Sequence, residues 1–347
     1  MMHGIPLIII WLGEKYPAWG LPSLKANANL SGCPVYLVTP RSNRLFNKAS
    51  RLDGVRVFDA EEYISLAALP ARYPSSIDQD FNNGFWKLSI DRFFVADAFI
   101  AKNRIQKFFC AELDNITYAL DKVYKEIDSE HHGVFMVRET VDRACPGFLY
   151  FNSKTVHHSM VNYFRDRLES DDGSGFISDM TLLSQYQEHF EKNCRLLNSA
   201  SRLFGLAPGH YKSIENMASE RMLFDGCSVG QFLFGLDCRY NQNWNNRHHS
   251  LPVSLDEWQR LHFMLYSDCS IGIIDAEGIE RKVHVVHIHS KNIHACTSKQ
   301  RLEVILSRVN KGMTTKTSSL LLKFKLLGLK EVVLALIRKI TSVKFLR

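Results

Sequence analysis

The sequence contains no CxxC pair, no apolar run long enough to cross a bilayer, no repeat of fixed period and no low-complexity tract. Each absence excludes a class of protein. Its eight cysteines (Cys33, Cys110, Cys145, Cys194, Cys227, Cys238, Cys269 and Cys296) stand singly. They offer neither structural-zinc spacing nor a disulfide framework, and this points to a reducing, cytoplasmic setting. The apolar stretch Ile5 to Leu12 is too short for a span, which needs about 20 residues. It also has no basic flank before it and no small-residue cleavage site after it, so it reads as a buried first strand. With 10 Pro and 19 Gly, 46% hydrophobic and 23% charged residues, the chain is neither fibrous nor disordered. At 347 residues it can bury a large core.

Acidic residues are scarce in one place only. From Lys299 to Arg347 there are 12 basic residues against Glu303 and Glu331, a local charge of +10 within a total of +7. The remainder carries −3, which argues against a nucleic-acid partner for the body of the protein. Residues 301–347 are therefore expected to form a basic amphipathic tail. Within it Lys323, Lys330, Arg338 and Lys344 share one broad helical face, while Lys325, Lys339 and Arg347 depart from it. Such a tail lies on an anionic membrane surface, here the cytoplasmic face, or packs on the body as a terminal helix.

The rest of the chain alternates between strand-like and helix-like segments. Ile5 to Leu12, Pro34 to Thr39 and Val55 to Phe58 read as strands, with helices near Leu21 to Leu30 and Ala60 to Leu69. Phe85 to Ile100 has helical spacing and leads into a strand at Ile105 to Leu113. Gly147 to Asn152 and Val283 to His289 read as later strands; Met180 to Phe190 and Ser254 to Leu265 read as helices. The expected class is α/β, a single mixed Rossmann-type sheet flanked by helices with an insertion in the second half.

Two segments could carry chemistry. In Phe108-Phe109-Cys110-Ala111-Glu112-Leu113-Asp114, apolar residues run into two carboxylates two positions apart, which a strand would point to one face. The carboxyl ends of strands are where ligands bind in open α/β sheets, and paired acids there can hold a divalent cation. Solvated carboxylates or a helix cap are the plain alternative. In His284-Val285-Val286-His287-Ile288-His289-Ser290-Lys291, a continued strand would place His287, His289 and Lys291 on one face. Imidazoles suit Mn²⁺ or Zn²⁺, and a lysine suits phosphate. A row of exposed strand histidines is the alternative. The adjacent pairs His131-His132, His157-His158 and His248-His249 diverge in any regular element and read as solvated or structural.

The order of these pieces resembles the nucleotide-sugar-dependent glycosyltransferases of the GT-A fold. Ile8 to Gly13 opens the chain; Trp86, Ser89, Arg92 and Phe93 precede the acidic pair, and Asn152, Asp179 and the His-rich strand follow it. Phe224-Asp225-Gly226, Val229-Gly230-Gln231, Gly235-Leu236-Asp237 and Ser178 to Leu183 are similar to bacterial transferases that build lipopolysaccharide or capsule. The likeness spans about residues 5 to 295, with Glu112-Leu113-Asp114 standing where the family carries DxD.

The resemblance implies a catalytic domain over 1–300, with a nucleotide-sugar half over 1–120 and an acceptor and metal half over 121–300. It implies Mn²⁺ or Mg²⁺ on Glu112, Asp114 and His289 or His287, with Lys291 on the diphosphate. Leu12, Gly13, Arg92 and Glu112 are then nucleotide contacts. Trp86, Asn152, Gln231 and Asp237 contact the sugars, and Asp179 and Asp225 are catalytic, Asp179 as base for the acceptor hydroxyl. Asp179 could instead cap a helix opened by Ser178-Asp179. The partners implied are a nucleotide-sugar donor and a glycan or lipid-linked glycan acceptor. A non-catalytic glycan-binding module on the same fold is the competing reading, and a histidine-based metal hydrolase a third.

Overall fold

The computed structural model describes residues 4–74, 77, 84–127, 133–138, 144–171, 176–199, 203, 221–235, 258 and 260–311. The opening βαβ reading holds: β1 (Leu7–Ile10), α1 (Gly20–Leu30) and β2 (Val35–Thr39) are followed by α2 (Arg44–Ala49), β3 (Val55–Asp59) and the short helix α3 (Ala60–Ile64). β1 is all apolar and buried along its whole length, as a strand covered by helices on both faces must be. Leu7 and Ile9 face one hydrophobic cluster, Ile8 and Ile10 the other, the period-two alternation of a strand.

The long helix α4 (Phe85–Lys102) then leads into β4 (Phe108–Ala111). It buries Phe93, Phe94 and Phe99, each contributing roughly 1.5–3 kcal/mol of transfer free energy, and this burial fixes α4 against the sheet. After β5 (Asn115–Thr117) and α5 (Leu120–Ile127) come β6 (Val134–Arg138), β7 (Ala144–Phe151), α6 (Lys154–Ser170), α7 (Asp179–His189) and β8 (Cys194–Leu196). The first sheet has seven strands in the order β3-β2-β1-β4-β7-β6-β8. β1, β2, β3 and β4 run parallel, whereas β7 is antiparallel to β4 and to β6.

This is the expected mixed α/β sheet flanked by helices, and a second sheet accompanies it. β9 (Met222–Phe224) and α8 (Ser228–Phe234) are followed by β10 (His262–Leu265), β11 (Ile271–Ile274) and β12 (Glu280–His287). β10, β11, β12 and β5 form a five-stranded sheet with β9, which pairs in parallel with β12. The acidic segment is where the chain changes sheets. β4 stops at Ala111, Glu112 to Asp114 turn, and Asn115 opens β5 against β12.

Several expected elements differ: the helix expected over Ala60 to Leu69 ends at Ile64, and the strand expected over Ile105 to Leu113 is Phe108–Ala111. The helix expected to run to Leu265 is strand β10 at its end, because antiparallel pairing with β11 and the Asn310 side chain, which donates to the Phe263 carbonyl and accepts its N–H (2.8 and 2.9 Å), hold it extended. The His-rich strand stops at His287 rather than His289. Ile288 donates to the Asp114 carbonyl, and Lys291 adopts a left-handed conformation (φ 58°) in the turn that follows. The helix Lys299–Val309 crosses the expected boundary at 300 and buries Leu302, Ile305, Leu306 and Val309 in the core under the second sheet. Residues 312–347, most of the expected tail, lie outside the described residues. No helix among the described residues is long and apolar enough to cross a membrane.

Candidate active site

The two carboxylates of the acidic turn and one histidine of β12 converge. Glu112, Asp114 and His287 each present a donor atom within 4.8 Å of the others. They meet because β5 and β12 pair with His287 opposite Asn115, next to Asp114 in the chain. The shared strand face inferred from the i, i+2 spacing is not the cause, since both acids lie in a turn. Helix α1 holds that turn from behind. Ser23 donates to the Leu113 carbonyl, and Asn27 donates to the Asn115 carbonyl (2.8 Å) while accepting from Thr117 N–H (2.9 Å). Both polar side chains are fully buried and one helical turn apart, so they grip the turn from one face of α1.

His287 is held from the other side. Its Nδ1 lies 2.8 Å from the Gly226 carbonyl, which only accepts, so Nδ1 carries a proton and Nε2 is turned to the acids. Nε2 lies 3.3 Å from Asp114 Oδ2 and 3.6 Å from Glu112 Oε2. Lys291 also pairs with Asp114 Oδ2, its ammonium 5.2 Å above the Trp19 ring. Burial opposes the Asp114 charge, but Lys291 and His287 outweigh it and hold the carboxyl well below its ordinary value. Burial likewise opposes protonation of His287, and Asp114 reverses that, holding the imidazole well above its ordinary value. His289 is outside the three-residue group and stacks its ring on that of His287, with centroids 4.1 Å apart.

Arg92 is the second hub. One guanidinium nitrogen lies 2.7 Å from Glu112 Oε1, the other 2.9 Å from Asp179 Oδ2, in a setting where the Arg92 side chain is 11% exposed. Burial works against its charge, yet Glu112 and Asp179 more than offset this and keep it above its ordinary value. Arg92, expected on the nucleotide, is thus engaged by the protein's own carboxylates. Asp179 is not the helix cap: Ser178 caps α7 in a reciprocal box with Thr181. Asp179 is the first helical residue, with Oδ1 accepting from Met180 N–H and Oδ2 facing Arg92. Burial pushes its carboxyl up to about 6, against the pull of Arg92 and with Glu112 adding to the rise.

Leu12 and Gly13 leave β1 at the same sheet edge as the acidic turn, because Ile9 is in register with Ala111. The Gly13 carbonyl accepts from Asn43 Nδ2 (2.8 Å), and Asn43 caps α2, so this loop is tied to the helix beside it. Trp86 lies on α4 six residues before Arg92, about 9 Å along the axis, packed edge-on against Phe85 and Phe176.

Asn152 is not brought to the site. β7 runs antiparallel to β4, with Phe151 opposite Phe108 and Phe148 opposite Ala111, so Asn152 follows the far end of β7 and accepts there from Gly133 N–H (2.7 Å). Gln231 is buried in α8, next to Gly230. Asp225, expected to be catalytic, spends both carboxylate oxygens on backbone N–H groups: Val229 (2.9 Å) on Oδ1, Gly230 (2.7 Å) and His287 (3.1 Å) on Oδ2. Burial raises its carboxyl, with those hydrogen bonds opposing. Asp237 lies outside the described residues.

Three further residues with no site role in the sequence reading lie here. Cys145 Sγ lies 2.9 Å from the Gly226 carbonyl, Asn115 is fully buried, and a Cβ at Gly147 would stand 3.1, 3.3 and 3.4 Å from Asn115 Nδ2, Cys145 Sγ and His287 Nδ1. A side chain at Gly147 would press on Asn115 and Cys145, whereas its contact with His287 would be an ordinary van der Waals one. The polar pair Ser23 and Asn27 inside an otherwise apolar helix face was the one sequence signal that α1 serves the turn.

The sequence matches no family profile and no curated protein. Among solved structures it is similar to mouse xyloside xylosyltransferase 1 in its apo form (10% identity, 56% of this chain and 85% of that one, TM-score 0.38). It is also similar to the galactosyltransferase LgtC in complex with donor and acceptor sugar analogues (8% identity, 62% and 84%, TM-score 0.36). A third is the glycosyltransferase GlyE of Streptococcus pneumoniae (14% identity, 61% and 50%, TM-score 0.37). With TM-scores below 0.5, a functional reading rests on the site's own geometry.

Proposed function

We propose that the protein is a divalent-metal-assisted glycosyltransferase that moves a sugar from a nucleoside-diphosphate donor to a glycan or lipid-linked glycan acceptor. The observation that carries this reading is the convergence of Glu112, Asp114 and His287 beside Lys291, at the sheet edge where β1 and β4 end. Two carboxylate oxygens and an imidazole nitrogen suit Mn²⁺ or Mg²⁺. Such an ion, when bound, supplies positive charge against the leaving diphosphate.

The chain's own residues have separate tasks. Lys291 turns its ammonium from Asp114 to the diphosphate. Leu12 and Gly13 line the nucleotide end of the edge. Asp179, ionised above about pH 6, takes the acceptor hydroxyl proton while the acceptor oxygen bonds to the anomeric carbon. The bond from that carbon to the diphosphate oxygen breaks, and the nucleoside diphosphate departs with the electron pair. Arg92 holds Asp179 in place without taking part in the bond changes. Trp86 and Gln231 remain candidates for sugar contact.

A panel of nucleotide sugars with and without Mn²⁺, read by thermal stabilisation and donor hydrolysis, tests this. A metal-dependent stabilisation with hydrolysis of one donor is expected. Stabilisation without turnover under any acceptor would mark a binding module, and no response to any donor would end the reading.

A further inference from the structure

Asp225 occupies an unusual position for a residue expected to be catalytic. The residue is 1% exposed, and its carboxylate faces the protein's own backbone. Oδ1 receives the N–H of Val229 and Oδ2 those of Gly230 and His287, so one side chain gathers the first turn of α8 and the last residue of β12. Its own N–H donates to the Val285 carbonyl (3.0 Å), fixing the segment after β9 beside β12. The consequence falls on the next residue. Gly226, directly after Asp225, presents its carbonyl to His287 Nδ1. A second constraint acts at the same spot, since a Cβ at Gly230 would lie 1.8 Å from the His287 carbonyl oxygen. The α8 backbone therefore seats directly on His287, and Asp225 is the bracket that keeps it there.

We propose that Asp225 is a positioning residue for the metal ligand His287: it fixes the Gly226 carbonyl against Nδ1 and so keeps Nε2 aimed at Glu112 and Asp114. The inference rests on the metal reading of those three residues. Its physical basis is general. A ligating imidazole needs its other nitrogen protonated and hydrogen-bonded, so that ring orientation and tautomer are set before the ion arrives, and loss of such an outer partner typically costs about 10- to 100-fold in metal affinity. Here the outer partner is a carbonyl, and its placement depends on the carboxylate one residue earlier.

The test uses the full chain and Mn²⁺ alone, titrated calorimetrically into wild type, Asp225→Asn, Asp275→Asn and Asp114→Ala. Asp275 is the control for a buried carboxylate lost elsewhere: it accepts from Ile279 N–H (2.8 Å) and pairs with Arg281 (2.8 Å) in the β11–β12 hairpin. Asp225→Asn is expected to bind Mn²⁺ about 10- to 100-fold more weakly, Asp275→Asn as wild type, and Asp114→Ala not at all. Equal affinity of Asp225→Asn and wild type overturns the positioning role and leaves the metal site standing. Absence of Mn²⁺ binding by wild type overturns the metal reading and this role with it. Should Asp225→Asn fail to fold, nitrogen NMR of wild type saturated with Mg²⁺, with His287→Gln for assignment, decides: a protonated Nδ1 and bare Nε2 on His287 are expected, and the reverse tautomer refutes the proposal.

Discussion

Asp179 Oδ2 accepts a hydrogen bond from Arg92 Nη2 over 2.9 Å, in a setting where the side chains are 4% and 11% exposed. The same guanidinium reaches Glu112, so the candidate base and the acidic turn are joined through one cation although they come from α7 and from the end of β4.

Burial raises the folded-state pKa of Asp179 to about 6 from an ordinary 3.8. A raised acid favours the native state fully below pH 3.8, and that contribution is lost as pH rises through 6. Activity runs the other way, because the base must be ionised. The pH profile of kcat/KM should show an acid limb near 6, and a profile flat from pH 5 to 8 would exclude Asp179 as base.

Asp179→Asn should reduce turnover roughly 100-fold or more with donor affinity nearly intact. Preserved turnover with a lowered melting temperature would assign Asp179 a structural role at the start of α7.

Arg92→Met removes the cation shared by two carboxylates and leaves both without it. Breaking a buried pair of this kind costs about 3–5 kcal/mol, read as a fall in denaturation midpoint. In any folded variant the acid limb assigned to Asp179 should move to higher pH, since the Arg92 charge lowers that pKa.

Gly230→Ala tests the close seat of α8 on β12. The added methyl would overlap the His287 carbonyl oxygen, a backbone atom that cannot swing aside. Overpacking at such a site costs about 1–3 kcal/mol, and calorimetric melting that shows no loss would contradict the geometry.

Removing residues 312–347 keeps the helix Lys299–Val309, whose apolar side chains are part of the core, and should leave donor hydrolysis and melting unchanged. It should also release the protein from anionic vesicles. Binding by the full chain should weaken with salt, because attraction to anionic lipid decays over a Debye length of about 8 Å at physiological ionic strength. Vesicle binding that ignores salt would end the membrane assignment.

The sequence by itself determined the α/β alternation, the buried first strand, helices α1, α4 and α7 and the segments of chemical interest. These follow from local hydrophobic period, which each segment carries in its own residues. It also marked Glu112 and Asp114, with His287 or His289, though for the acids the reason is one the fold does not use: a shared strand face was expected, and they lie in a turn. Only the tertiary structure decided that this turn passes the chain from one sheet to the other, because strand pairing across more than 150 residues leaves no local trace. The same holds for Arg92, a helix arginine by sequence and a bridge between Glu112 and Asp179 in space, and for Asp225, whose partners are backbone N–H groups that no side-chain pattern encodes. Asn152 makes the point in reverse: its place in the order of motifs suggested the site, and the antiparallel direction of β7 carries it to the opposite end of the sheet.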